Sequence, residues 1–333
     1  MNAPWMNAPR ITVAMSVYNN EAFLARAIES ILAQSFGDFE YLIVNDGSTD
    51  GSPAIIDGFA ARDPRIRTIH QENRGLVASL NRMIEEARAP LIARMDGDDI
   101  ALPLRFERQV AFLDAYPDYG VVGVNTHDID ENGIIHRAFD FHPLDHDSFV
   151  AALPDGPPLC HSSVTMRREA VRALGGYRKA FQHCEDYDLW LRLAAHTRLC
   201  SLPDRLFHYR RSEGQVSVRH IVAQQTGAAI AWAAYRERTA GRPDPTEGLE
   251  QLPRVEELDA LFGRKGVTAE VRSRVALGLL HSSSAMGGEG FTMLIDHVRD
   301  GGTRDGLWRT VARLVKFGQP LQAARLAAAL ATN

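Results

Sequence analysis

Residues 11–125 alternate between two side-chain periodicities, and this alternation restricts the fold more than any other feature of the chain. Segments 11–17, 39–44, 66–69, 91–95 and 121–124 are short apolar runs of strand type. Between them lie helical patterns over 21–33, through Ile55, Ile56 and Phe59, over 76–87, and from Pro103 to about 115. In the first of these, Ala22, Leu24, Ala27, Ile28, Ile31 and Leu32 form one apolar stripe. Such alternation predicts a mainly parallel central sheet with helices on both faces. Ligands of these sheets bind beyond the carboxyl ends of the strands. Tyr18-Asn19, Asn45-Asp46-Gly47 and Asp96-Gly97-Asp98-Asp99 all fall there.

The last of these segments carries the sharpest chemistry. A strand projects residues i and i+2 to one side, so Asp96 and Asp98 can face a single point. Paired hard oxygens suit Mg²⁺ or Mn²⁺ and, through the metal, a phosphate. Taken alone, the segment reads first as a solvated acidic turn; the other features of the chain reverse that preference.

Composition narrows the classes. With 333 residues, 45% of them hydrophobic, the chain fits a globular protein with one large core or two modest ones. No apolar run reaches the ~18 residues of a membrane-spanning helix. Residues 1–9 repeat Met-Asn-Ala-Pro, lack signal-peptide character and are set aside as a disordered or alternative-start tail. Three cysteines without CxxC spacing indicate neither a disulfide framework nor a zinc site, and a reducing cytoplasm is expected. The net charge of −5 gives no nucleic-acid footprint. Residues 126–210 read as mixed, with strands at 162–166, 199–202 and 206–209 and a helix over 186–195; beyond about 217 the chain is helix- and Ala-rich.

Four blocks, in order, give residues 11 to about 217 a family resemblance. They are Val13-Ala14-Met15-Ser16-Val17-Tyr18-Asn19-Asn20-Glu21 with Ser30-Ile31-Leu32-Ala33-Gln34-Ser35; Val44-Asn45-Asp46-Gly47-Ser48-Thr49-Asp50-Gly51-Ser52; Asn73-Arg74-Gly75 through Asn81 to Met95-Asp96-Gly97-Asp98-Asp99; and Gly175-Gly176-Tyr177 with Glu185-Asp186-Tyr187-Asp188-Leu189-Trp190. Together they resemble the family 2 glycosyltransferases. The resemblance implies a GT-A fold over 10–217, with a Rossmann-like nucleotide-sugar-binding half (10–125) and an acceptor half (126–217). A helical C-terminal extension, 218–333, follows.

By the same resemblance, Asp46 accepts a hydrogen bond from the base of a uridine-type nucleotide, with Asn45, Tyr18 and Arg74 near the base or a phosphate. Asp98 coordinates a divalent cation, Mn²⁺ or Mg²⁺, and Asp96 contacts ribose or supports the metal. Asp186 is the catalytic base, Glu185 orients the acceptor, and His161 contacts phosphate or acceptor. For each a structural reading stands beside the functional one. Asp46, Ser48 and Asp50 can shape a turn, Glu185 and Asp186 can be first-turn helix acids, and Asp99 is expected to cap the helix near Pro103. Many relatives carry a histidine two residues after the arginine of Tyr209-Arg210; here Ser212 stands there, with Gln215-Val216-Ser217 following.

The expected function is inverting, metal-dependent transfer of one sugar from a nucleotide-diphosphate sugar, UDP-linked, to a glycan or lipid-linked acceptor in cell-surface polysaccharide or lipopolysaccharide synthesis. Leu191-Arg192-Leu193 in place of the QxxRW pattern argues against processive addition. A nucleotidyltransferase of related fold and a non-catalytic glycan- or nucleotide-binding module are the alternatives. In the tail, Leu307, Trp308, Val311, Leu314 and Val315 form an apolar stripe opposite Arg309, Arg313 and Lys316. Such a helix either packs on 321–330 or makes residues 304–333 a peripheral contact with the inner face of the membrane.

Overall fold

A computed structural model of the chain describes residues 8–139, 143–212 and 220–332. These form two compact units, one of residues 8–178 and 185–212, the other of 179–184 and 220–332. Residues 213–219, which include the Gln215-Val216-Ser217 block, lie outside the described residues.

The first unit is built on a sheet of nine strands: β1 Ile11–Val17, β2 Phe39–Asp46, β3 Ile66–Gln71, β4 Leu91–Asp96, β5 Ile100–Ala101, β6 Tyr119–Ile129, β7 Ile135–Phe139, β8 Thr165–Arg167 and β9 Arg198–Arg210. Their order is β3-β2-β1-β4-β8-β6-β9-β5, with β7 on β6. The expected parallel character holds for β3-β2-β1-β4. Beyond β4 the sheet is mixed: β8 runs antiparallel to β4 and β6, whereas β9 runs parallel to β6. Helices α1 Glu21–Leu32, α2 Ser52–Ala60, α3 Leu76–Glu86 and α4 Arg105–Ala115 follow or flank the parallel strands. Leu24, Ala27, Ile28 and Ile31 of α1 and Phe106, Val110 and Leu113 of α4 close the core against β1, β2 and β4. Every β2 side chain is buried, as strands covered on both faces require. β1 fixes the register of the functional edge, because its Ser16 lies opposite both Val44 and Asp96.

Three expectations are corrected. Segments 199–202 and 206–209 are one strand, β9; Pro203 offers no N–H, and the β6–β9 register shifts around Asn125, whose Nδ2 donates to the Pro203 carbonyl at 3.0 Å. The strand expected at 162–166 begins only at Thr165, after a 3₁₀ turn over His161–Ser163. There Ser163 Oγ donates to the Cys160 carbonyl at 2.9 Å, so local bonding displaces the ladder. Helix α4 starts at Arg105, with Pro103 just before it. Three further helices, α5 His146–Ala152, α6 Arg168–Ala173 and α7 Glu185–Leu193, complete the unit.

The second unit is helical: α8 Ile221–Thr239, α9 Leu258–Leu261, α10 Val267–Gly278, α11 Ser283–Met286, α12 Glu289–Arg299, α13 Leu307–Lys316 and α14 Pro320–Ala331. Segment Lys179–Cys184 belongs with it: Gln224 of α8 donates to the His183 carbonyl at 2.9 Å, and Gly227 leaves room for Cys184 Sγ.

Candidate active site

Asp46 closes β2, opposite Gln71 of β3, and is buried. Its Oδ1 accepts from Gln71 Nε2 at 2.7 Å and the Arg74 N–H at 2.9 Å; its Oδ2 accepts from the Gly75 N–H at 2.9 Å. One carboxylate thus holds the 73–75 loop to the sheet edge. The Gln71 Oε1 in turn accepts from Arg82 Nη1 at 2.6 Å. The Arg74 side chain is exposed and, with Gln71 and Arg82, lines a cleft of about 340 Å³. Asn45 is buried; its side chain bonds His70 Nδ1 and accepts from the Ser48 N–H. Tyr18 stands half in solvent at 51% exposure, just beyond β1. Asp50 accepts from the Glu21 and Ser52 N–H groups, each at 3.0 Å, so it serves the turn and the helix starts.

At the end of β4, Asp96 pairs through Oδ1 with fully buried Arg94. Asp98 is half-buried; loss of water, with the nearby negative charge of Asp96, pushes its carboxyl up to about 6. Asp99 corrects the expectation of a helix cap. It is buried, takes Ser162 Oγ at 2.5 Å on one oxygen and the Arg210 N–H at 2.8 Å on the other, while α4 has no side-chain cap. Arg210 Nε donates to the Asp98 carbonyl at 2.7 Å. Ser162, Asp99 and Arg210 therefore fix the turn that presents Asp98. The sequence offered no signal for this beyond Tyr209-Arg210 itself.

Helix α7 begins with Glu185 and Asp186 in its first turn. The Asp186 Oδ1 accepts from the Tyr187 N–H at 2.7 Å. Burial pushes its carboxyl up to about 6; Arg94 opposes that rise and Asp96 adds to it, so Asp186 lies within electrostatic reach of the β4 end. Glu185 is buried and acts electrostatically on Arg94 and Tyr177. His161 bonds Tyr177 Oη through Nε2 at 2.8 Å, edge-on to Trp190. Burial, with Arg94 nearby, holds it well below the usual imidazole range, so it is neutral at neutral pH.

Asp188 of the 185–190 block, to which the sequence assigns no role, is a structural component of the site. It is fully buried between Arg178 and Arg192, and Arg192 also donates to the Leu174 and Gly176 carbonyls at 2.9 and 2.7 Å. Asn81 completes the clamp, bonding both the N–H and the carbonyl of Tyr177 at 2.8 Å. Gly176 has φ +75°, and a Cβ there would meet Asn81 Oδ1 at 2.5 Å. Among the described residues no group of three His, Cys, Asp or Glu is placed to hold a metal, so Asp96 and Asp98 are a two-carboxylate set. His208 stacks edge-on with His127, with ring centroids 5.5 Å apart, and Ser212 follows β9.

A sheet whose parallel half ends in this acidic edge, continued by mixed strands and followed by helices, is the framework of a GT-A-type glycosyltransferase. The chain belongs to glycosyl transferase family 2, whose family model matches residues 12–175. EpsE of Bacillus subtilis, provisionally named a glycosyltransferase, is 37% identical over 69% of this chain and 83% of its own length. The amylovoran biosynthesis glycosyltransferase AmsE of Erwinia amylovora is 30% identical over 72% and 97%. The O-antigen biosynthesis glycosyltransferase WbnJ of Escherichia coli is 30% identical over 60% and 79%. In fold, the chain matches S. aureus TarS, solved with UDP-GlcNAc, at a TM-score of 0.57 and 17% identity, over 93% of this chain and 92% of that one. It matches the mannosyltransferase PcManGT from Pyrobaculum calidifontis, solved with GDP-Man and Mn²⁺, at 0.54 and 17% identity, over 98% and 88%. No helix among the described residues is long and apolar enough to cross a membrane.

Proposed function

We propose that this glycosyltransferase moves one sugar from a UDP-linked donor to a glycan or lipid-linked acceptor, with inversion and with a divalent cation. The observation that carries the reading is that Asp96, at the end of β4, acts electrostatically on both Asp98 and Asp186. The names of AmsE and WbnJ support a role in cell-surface polysaccharide synthesis.

The uridine assignment rests on acceptor counting. A carboxylate offers about four lone-pair sites, and three on Asp46 are already filled. The remaining site on Oδ2 suits the single imide N–H of uracil better than the paired donors of guanine. Asn45 holds the turn beneath it, and Tyr18 and Arg74 border the base.

The donor set fits a small hard cation. Asp96 and Asp98 supply two carboxylates, and diphosphate and water oxygens supply the rest, as Mg²⁺ and Mn²⁺ sites commonly have. Loss of water, with the charge of Asp96 beside it, raises the Asp98 carboxyl, a cost that a cation relieves. Its chemistry there is neutralisation of the diphosphate as it leaves. Asp186 takes the acceptor hydroxyl proton, Glu185 orients the acceptor, and neutral His161, fixed by Tyr177, meets the donor–acceptor boundary as a hydrogen-bonding group. Attack opposite the nucleotide inverts the anomeric centre.

The test is calorimetric titration of UDP-, GDP-, dTDP- and CMP-sugars with Mn²⁺, with Mg²⁺ and with chelator. Metal-dependent binding of a UDP-sugar, lost in Asp98→Ala, is expected. Equal affinity in chelator would refute the metal assignment, and a preference for another nucleotide would refute the Asp46 argument.

A further inference from the structure

The apolar residues of α13 do not form the single stripe that their spacing suggests. Leu307 and Leu314 are buried together with Thr310, in the unit where Ala323, Leu326 and Leu330 of α14 are also buried. Trp308 and Val315, seven positions apart and hence on one face, are 57% and 58% exposed. Ala312 lies between them on the same face and is also exposed. Leu321, which opens α14 beyond the Gly318 turn, is 69% exposed. The tail therefore packs with one face and leaves a second apolar ridge in water.

A basic ridge runs beside it. Arg309 and Lys316 each directly follow a ridge residue, lie seven positions apart, and are exposed. The other cations of the tail are engaged inward: Arg304 donates to the Leu330 and Thr332 carbonyls, Arg313 donates to the Leu280 carbonyl, and Arg325 lies over the Phe291 ring. Residues 304–333 hold five basic side chains against the single acid Asp305, so the local charge is positive.

We propose that this ridge docks on an anionic lipid surface, with α13 lying in the interface, Trp308, Val315 and Leu321 entering the headgroup boundary, and Arg309 and Lys316 meeting lipid phosphates. Tryptophan beside cations on a short in-plane helix is the pattern such interfaces favour. Charge decides against a second copy of this chain as the occupant. A two-fold pairing of identical patches would set the Arg309 and Lys316 ridges of both copies close together. The proposal extends the transfer reading by placing the enzyme where a lipid-linked acceptor resides, but it does not depend on that reading.

The test is flotation of the full chain with vesicles of phosphatidylcholine alone and of phosphatidylcholine mixed with phosphatidylglycerol, at low and high salt. Binding is expected only to the mixed vesicles and should weaken with salt. Arg309→Gln and Lys316→Gln should each weaken it about fivefold. Trp308→Ser with Leu321→Ser should abolish it, while a UDP-sugar titration in solution stays unchanged as a check that the chain is folded. Absence of wild-type binding to the mixed vesicles overturns the proposal, as does full binding by the Trp308→Ser/Leu321→Ser variant. A concentration-dependent dimer that this variant dissolves, without vesicle binding, would assign the face to self-association instead. Failure of donor binding in wild type would strike the transfer reading and leave this result standing.

Discussion

Asp186 and Asp188 sit two positions apart on one helix, and the proposed base, Asp186, is the one outside the ion pairs with Arg178 and Arg192. Asp188 is locked between two guanidinium groups, whereas Asp186 accepts from the Tyr187 N–H on Oδ1. Its carboxyl, pushed up to about 6, is charged above that pH. The rate of transfer should therefore fall about tenfold per pH unit below 6 and level off above it. The same shift has a stability consequence. The folded state binds the Asp186 proton more tightly than the unfolded chain, so stability is lost as pH rises from about 4 to 6 and stays lost above. Asp186→Asn should be more stable than wild type at pH 7, by on the order of 1–3 kcal/mol, and no more stable at pH 4; urea unfolding at both values checks this. Sequence blocks indicated Asp46, Asp96, Asp98 and Asp186 because each ends a recognisable pattern. Asp99 was misread because its partners, Ser162 and Arg210, are 63 and 111 positions away, and no local rule connects them.

Segment 174–178 is tied to α7 by buried charge, through Arg178 and Arg192 on Asp188 and Arg192 on the Leu174 and Gly176 carbonyls. Removing Asp188 takes away the buried carboxylate that pairs with Arg178 and Arg192, and so loosens the guanidinium that donates to the Leu174 and Gly176 carbonyls. Asp188→Ala should cost about 3–5 kcal/mol, read as a lower urea midpoint, and should impair transfer by loosening the helix that carries Asp186. Gly176→Ala combines a left-handed backbone with a clash at Asn81 and should cost about 1–3 kcal/mol by the same measurement. The elements themselves divide into those readable from periodicity and those that were not. β1, β2 and β4 are buried along most of their length and β3 opens on buried Ile66, so the starts of all four were legible to the residue. β9 was read as two pieces because Pro203 breaks the pattern while the partner strand absorbs the break. The tail helix was read as one stripe because an apolar arc covering both its inner and outer faces looks continuous on a wheel.

For the molecule as a whole, the parallel half and the acidic edge were legible, because strand-to-helix alternation dictates where loops gather. The mixed half was not: the order β4-β8-β6-β9 depends on pairings between distant segments that carry no periodic signature. The place of Arg192 belongs to this level as well. It lies in the segment where processive relatives carry a different pattern, and here it binds the Leu174 and Gly176 carbonyls. Products should accordingly grow by one sugar per acceptor, visible as a single mass increment; a ladder of increments would reject non-processive transfer.

The most direct measurement compares wild type with Asp186→Asn in metal-supported release of UDP from the bound donor, with water or a supplied hydroxyl as acceptor, from pH 5 to 8. The account predicts an acid limb near pH 6 in wild type. It also predicts a loss of roughly 10²–10⁴ in rate for the variant, with donor affinity unchanged. A variant within a few-fold of wild-type rate, or one that loses donor binding and rate together, would contradict the assignment of Asp186 as the base.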